Sequence, residues 1–171
     1  MGIELDNLTF AELMQLQLEI SQTIKRRFER KMALAFSDVV GSTAYFQRHG
    51  DAAGRALLER HYALLGKVVA SAEGLIVDTA GDGAFLCFPR AQAAAEAMLE
   101  LQRLIVSGNA NVTEESRLSI RVGLHWGPVL KADRVVTGDS VNLCARVAAG
   151  GARRDPTTKA TTSCWRCPTS S

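Results

Sequence analysis

Apolar residues return at steps of three and four along the first part of the chain: Phe10, Leu13, Ile20, Ile24 and Phe28, with Gln17 in the same row. That spacing predicts a helix over residues 9–30. Thr9, followed three residues later by Glu12, supplies a capping box at its start. The row is close to a heptad seam over about three heptads. Two readings of this helix stand side by side: an amphipathic helix packed on its own domain, or a short parallel coiled coil joining an upstream partner to that domain. The run KRRFERK, residues 25–31, reads as the solvated end of the helix, where cations suit the negative pole of the dipole.

Past this helix the pattern shortens. Met32 to Ser37 is a continuous apolar run and reads as a buried strand. GSTAYFQRHG starts a short helix, and residues 51–72 form a longer one, with Ala53, Leu57, Leu64, Leu65 and Val68 on its packed side. Leu75 to Thr79 and Ala84 to Phe88 flank the glycine turn at Gly81–Gly83, which predicts a β-hairpin. Residues 90–106 read as a helix with Pro89 near its start, and SGNANVTEES as a polar loop. Leu118 to His125 and Val129 to Val136 read as two strands, and residues 139–149 as a last helix. Strands alternating with helices, plus a hairpin, predict an α+β sandwich.

The 171 residues favour one domain with attachments. A hydrophobic fraction of 47% is enough for a core, and a net charge of +2 makes no case for a nucleic-acid binder or a polybasic membrane anchor. No apolar run approaches the roughly 20 residues that span a bilayer. MGIELDNLTF lacks the basic-then-apolar order of a secretory signal, and Asp6 breaks the myristoylation pattern behind Gly2. Cys87 and Cys144 fall in apolar segments and read as small buried hydrophobes. Cys164 and Cys167 form CWRC without two further zinc ligands nearby, and the cysteine usage fits a reducing cytoplasm.

Candidate chemistry concentrates at two turns. FSDVVGST, residues 36–43, and TAGDGAFLCF, residues 79–88, each deliver one aspartate, Asp38 and Asp82, to a glycine-flanked turn beside a strand. Two such carboxylates can hold divalent cations against a phosphate. Asn142 and Arg146 in GDSVNLCARV lie four residues apart and share a helix face. Acid for metal, Arg for phosphate and an amide for orientation point to phosphoryl-transfer chemistry. Taken singly, Asp38 is a turn or cap residue and Gly-Asp-Gly is ordinary turn sequence; the pairing within these motifs favours metal. Gly41, Gly81, Gly83 and Gly138 permit close backbone approach to phosphate. His125 reads as a structural histidine, and Arg121 on the same strand as a partner for an acid.

FSDVVGST, TAGDGAFLCF, IRVGLHWGPV and GDSVNLCARV together resemble the class III nucleotidyl cyclases, the adenylate and guanylate cyclase catalytic domain, from near Met32 to about Ala149. The resemblance implies a ferredoxin-like, palm-type fold with an antiparallel-rich sheet. It implies that Asp38 and Asp82 bind two Mg²⁺ or Mn²⁺ ions, with the backbone carbonyl of Val39 as a further ligand. One ion would activate the ribose 3′-hydroxyl and the other neutralise the triphosphate. Arg146 would stabilise the α-phosphate and Asn142 orient the ribose, both acting across a head-to-tail homodimer. Substrate would also meet Gly41, Ser42, Thr43 and Gly81, and the purine positions would be Asp78 and Val135. Adenine-selective members often carry lysine at the first of these and Asp or Thr at the second, so ATP or GTP remains open there.

The expected organisation is therefore an N-terminal helix over 1–31, packed on its domain or transducing as a coiled coil, an incomplete cyclase domain over 32–149 and a disordered tail over 150–171. The tail shows no match to the strands with which the family continues, nor to the basic residue near their end that touches the triphosphate. The expected activity is conversion of ATP to cyclic AMP and pyrophosphate in the cytoplasm, under an upstream sensor domain or protein. The rivals are a guanylate cyclase and a weak or inactive cyclase-fold module for dimerisation or nucleotide sensing. A diguanylate cyclase is disfavoured because the chain has no GGDEF-like signature.

Overall fold

A computed structural model describes residues 5–150 and the backbone of residues 163–166. In chain order the elements are α1 (Phe10–Phe28), β1 (Glu29–Val39), α2 (Ser42–Ser71), β2 (Leu75–Ala80), β3 (Gly83–Phe88), α3 (Ala91–Asn109), β4 (Ile120–Ala132), β5 (Val135–Thr137), α4 (Asp139–Ala148) and β6 (Ser163–Arg166). The central strands lie in the order β2-β3-β1-β4, every neighbouring pair antiparallel. With α2 and α3 as the two crossovers, this is the ferredoxin-like βαββαβ arrangement that the resemblance implies. β5 and β6 both pair with β4, at Leu130–Ala132 and Arg121–Leu124 respectively.

The apolar run in β1 is continuous because both faces of the strand are covered. Ala33, Ala35 and Val39 join Leu57, Leu65, Val68, Met98, Leu101 and Ile105 in the core beneath α2 and α3. Leu34 joins Phe85, Cys87, Val129, Val136 and Cys144 in a smaller core beneath α4. Phe36 and Phe85 stack on this second face, with ring centroids 4.6 Å apart. Buried Cys87 and Cys144 take the packing role the sequence assigns them, and burial pushes the Cys144 thiol up to about 12.

α4 sits on β4 at backbone contact. A Cβ on Gly123 would lie 2.5 Å from the Ala148 amide nitrogen and 2.7 Å from its Cα. No side chain fits there, so this glycine sets the height of α4 above the sheet. The Cys144 thiol, facing the same strands, reaches the carbonyls of Leu34 (3.4 Å) and Gly123 (3.5 Å).

The capping box forms as expected: the Glu12 amide donates to Thr9 Oγ1 and the Thr9 amide to Glu12 Oε2 at 2.8 Å. Along α1 only Leu16 and Thr23 are half-buried. Phe10 is 80% exposed and Met14, Leu18 and Ile20 about half exposed, so packing on its own domain does not cover the apolar side of this helix. The run KRRFERK divides, with Lys25–Arg27 in the last turn of α1 and Glu29–Lys31 already in β1. The helices expected around Gly50 are continuous as α2 apart from a break at that glycine, where φ is 81°. α3 runs three residues beyond its expected end, into SGN.

Two expectations need correction. Residues 118–125 and 129–136 are not two strands: β4 continues through Trp126, Gly127 and Pro128. Pro128 falls in the stretch of β4 between the β6 and β5 pairings, where one edge has no strand partner among the described residues and a missing amide hydrogen is tolerated. Within the stretch expected as a disordered tail, Ser163–Arg166 forms β6 on β4, with Arg166 in register with Arg121. Backbone pairing to an open edge, rather than apolar periodicity, makes that strand. The rest of the expected tail, 151–162 and 167–171, lies outside the described residues. Among the described residues no helix is long and apolar enough to cross a membrane.

Candidate active site

β1 and β3 carry the two aspartates to the same end of the sheet. Asp38 is in register with Gly83 on one side and with Arg121 of β4 on the other. The Val39 amide donates to the Asp82 carbonyl at 3.3 Å, which fixes the Asp82 turn against the end of β1. Asp38 lies on the sheet face of Leu34 and Phe36, since residues two apart in a strand share a face.

Each carboxylate has a partner. The Arg121 guanidinium forms an ion pair with Asp38 through Nη2 and Oδ2, both side chains partly exposed. The Ser42 hydroxyl donates to Asp82 Oδ2. Ser42 is the buried first residue of α2, entered through Gly41 at φ 74°, a left-handed conformation that suits glycine. The helix therefore presents its positive end beside Asp82, a favourable arrangement for an anion. Thr43 follows in the same turn and is exposed. Gly81, at φ 59°, forms the hairpin turn with Asp82.

Beneath this pair lies polar structure that no sequence motif announces. His61 of α2 is fully buried, and its Nε2 lies 2.9 Å from Ser37 Oγ. Its Nδ1 has no hydrogen-bond partner among the described residues. Burial lowers the His61 pKa to about 4, against the smaller opposing pull of Asp82. The next residue, Tyr62, donates from its hydroxyl to the Gly81 carbonyl at 2.7 Å, with the Gly83 carbonyl at 3.2 Å. Burial, then the Asp82 charge, raises the Tyr62 pKa. The one local signal is a histidine in the apolar row Leu57–His61–Leu65, at a position where the helix needs a buried side chain.

Asn142 and Arg146 stand exposed on α4, away from its buried residues Ser140, Cys144, Val147 and Ala148. No hydrogen bond or ion pair joins either to Asp38 or Asp82 among the described residues. Asp78 is exposed beside an irregularity in the β2–β3 register, its Oδ1 accepting from the Thr79 amide at 2.8 Å. Val135 is 64% exposed on β5. His125 is buried in register with Leu34, with Nδ1 unpartnered, and burial lowers its pKa.

Asp38, Asp82 and the Val39 carbonyl are all oxygen donors, a set whose chemistry would suit a hard divalent cation such as Mg²⁺ or Mn²⁺. Among the described residues no group of three or more His, Cys, Asp or Glu side chains could hold a metal, so the remaining ligands would have to come from substrate and water. The Arg121 guanidinium already places positive charge beside the Asp38 carboxylate.

Residues 24–166 match the family model described as the adenylate and guanylate cyclase catalytic domain. An adenylate cyclase of Streptomyces coelicolor is 31% identical over 119 residues, covering 70% of this chain and 30% of the relative. The chain spans between 14% and 30% of the length of the curated relatives it matches. Among solved structures, an adenylate/guanylate cyclase/hydrolase from Silicibacter pomeroyi is 30% identical, with a TM-score of 0.61 over 71% of this chain and 70% of that one. A bacterial light-regulated adenylyl cyclase shares the fold at 19% identity, with a TM-score of 0.65 over 75% of this chain and 73% of its own. Guanylyl cyclase domains share it as well. The match covers most of the chain, reaches the end of β6 at Arg166 and includes both aspartate turns: the chain belongs to the adenylate and guanylate cyclase catalytic domain family, the class III nucleotidyl cyclases.

Proposed function

We propose that this domain converts ATP to 3′,5′-cyclic AMP and pyrophosphate at sites shared between two copies of the chain. The observation that carries the reading is the pairing of Asp38 and Asp82 at one end of the sheet, through the Asp38–Gly83 register and the Val39–Asp82 hydrogen bond. Asp38, Asp82 and the Val39 carbonyl would hold two Mg²⁺ or Mn²⁺ ions, which when bound supply Lewis acidity and charge neutralisation. Gly41, Ser42 and Thr43 at the start of α2, together with Gly81, would face the triphosphate. Arg146 would neutralise charge at the α-phosphate, and Asn142 would hold the ribose so that its 3′-oxygen lies in line. Both side chains are exposed and unbonded to the aspartates, which supports a composite site in which they serve the partner copy's metals. The ATP pool argues for a cytosolic reaction, and the greater length of the curated relatives leaves room for a sensor upstream.

One observation favours GTP as the alternative. Asp78 presents a carboxylate where adenine-selective relatives often present lysine. A carboxylate accepts hydrogen bonds from guanine N1–H and its amino group, and cannot donate to adenine N1. The names of curated relatives favour ATP.

The test is purified chain with ATP or GTP and Mn²⁺, the cyclic product being identified by mass. Asp38→Ala and Arg146→Ala chains should each be inactive alone and should regain activity when mixed, through one intact composite site per heterodimer. Demonstrated heterodimers without recovery would refute the shared site. Absence of any cyclic product from the unmodified chain would favour the inactive module.

A further inference from the structure

Adjacent residues of α2 hold the residues that flank both proposed metal ligands. His61 holds Ser37, the residue before Asp38, through the 2.9 Å contact between Nε2 and Oγ. Tyr62 holds Gly81 and Gly83, the residues on either side of Asp82, through one hydroxyl 2.7 and 3.2 Å from their carbonyls. Ser37 and His61 are buried, so water does not compete for their bond. Gly81 is in a left-handed conformation, in a turn with few side chains to stiffen it. The Tyr62 hydroxyl bridges the arms of that turn, and the Val39 amide ties its tip to β1.

We infer that His61 and Tyr62 are positioning residues for the metal site, setting from beneath the sheet the separation and orientation of the Asp38 and Asp82 carboxylates. This rests on the metal-binding reading of those two aspartates. Neither α2 side chain needs to touch metal or nucleotide. Each acts through backbone: a shift in the Gly81–Gly83 arms swings the Asp82 carboxylate, and a shift at Ser37 moves Asp38. Mg²⁺ and Mn²⁺ accept little variation in oxygen geometry, so a loosened turn weakens binding even when both carboxylates remain.

The test removes one atom. Tyr62→Phe keeps the ring and deletes the hydroxyl. Mn²⁺ binding is measured by electron paramagnetic resonance of the free ion, in the presence of a non-cyclisable ATP analogue and so without turnover, against a blank of analogue and Mn²⁺ alone, for the unmodified chain, Tyr62→Phe, Asp82→Ala and Ile105→Val. Ile105 is fully buried in the core beneath α3 and serves as a control for lost stability. The expected result is binding by the unmodified chain and by Ile105→Val, none by Asp82→Ala, and affinity lowered about tenfold in Tyr62→Phe. In turnover assays the Tyr62→Phe defect should appear as a higher metal requirement, with kcat restored at saturating Mn²⁺. Unchanged Mn²⁺ affinity in Tyr62→Phe, with Asp82→Ala defective, overturns the positioning role and leaves the metal site standing. Absent binding by the unmodified chain, or equal binding by it and Asp82→Ala, overturns the metal reading and this inference with it.

Discussion

Acid should destabilise this domain through His61. The imidazole is fully buried, and burial lowers its pKa from an ordinary 6.5 to about 4. Between these values the unfolded chain binds a proton that the folded chain refuses. Stability from this group is therefore complete above the unfolded pKa and falls as pH drops through the window from 6.5 to about 4. A tenfold difference in proton affinity between the folded and unfolded chain is worth about 1.4 kcal/mol, so the full effect is about 3 kcal/mol, of which about 2 is lost between pH 7 and pH 5. That is a sizeable part of the roughly 5–15 kcal/mol that holds a typical domain. His125, also lowered by burial, adds a loss of the same sign. Urea denaturation followed by tryptophan fluorescence at pH 7, 6 and 5 measures the slope. His61→Gln keeps a polar group opposite Ser37 but cannot titrate; it should be less stable at pH 7 and show a flatter profile. Parallel profiles for the two proteins would refute the assignment of the acid sensitivity to His61.

Two further predictions follow from the way α4 and β6 meet β4. Gly123→Ala places a methyl 2.5 Å from the Ala148 amide nitrogen, so α4 must lift; overpacking of this kind costs about 1–3 kcal/mol in thermal or chemical denaturation, and turnover should fall further because Asn142 and Arg146 ride on that helix. An unchanged midpoint would show that α4 can shift freely. Ending the chain at Gly150 removes β6 and leaves the β4 edge from Arg121 to Leu124 unpaired, so light scattering should show self-association absent from the full chain at the same concentration. A monodisperse shortened protein would show that the strand is not needed to protect the edge.

What the sequence discloses and what it hides separate along physical lines. β1 and the β2–β3 hairpin are legible because an apolar run and a Gly-Asp-Gly turn are local signals, and both survive in the fold. β4 reads wrongly as two strands because Gly127–Pro128 carries the local mark of a turn, while the strand's continuity is imposed by pairing with β1 along its length. β6 escapes notice because an edge strand needs backbone partners more than it needs apolar periodicity. For α1 the pattern of residues is clear but its meaning is not. The exposure of Phe10, Met14, Leu18 and Ile20 shows that its own domain leaves that side uncovered.

The site divides in the same way. Asp38, Asp82, Asn142 and Arg146 can be named from motifs because each sits within a few residues of the glycines and apolar positions that flag it. What holds the aspartates cannot. Arg121 reaches Asp38 across 83 positions of sequence, Ser42 reaches Asp82 across 40, His61 reaches Ser37 across 24 and Tyr62 reaches Gly81 across 19. None of these separations has a local signature, and each partner type has an ordinary alternative role. An arginine on a strand pairs with some acid, a serine at a helix start caps it, and a histidine in an apolar row fills space. Their joint purpose appears only when β1, β3 and β4 are brought into register and α2 is laid beneath them. The proposed chemistry is thus written locally, whereas the placement of the residues proposed to perform it follows from the register of the sheet and the seating of α2 against it.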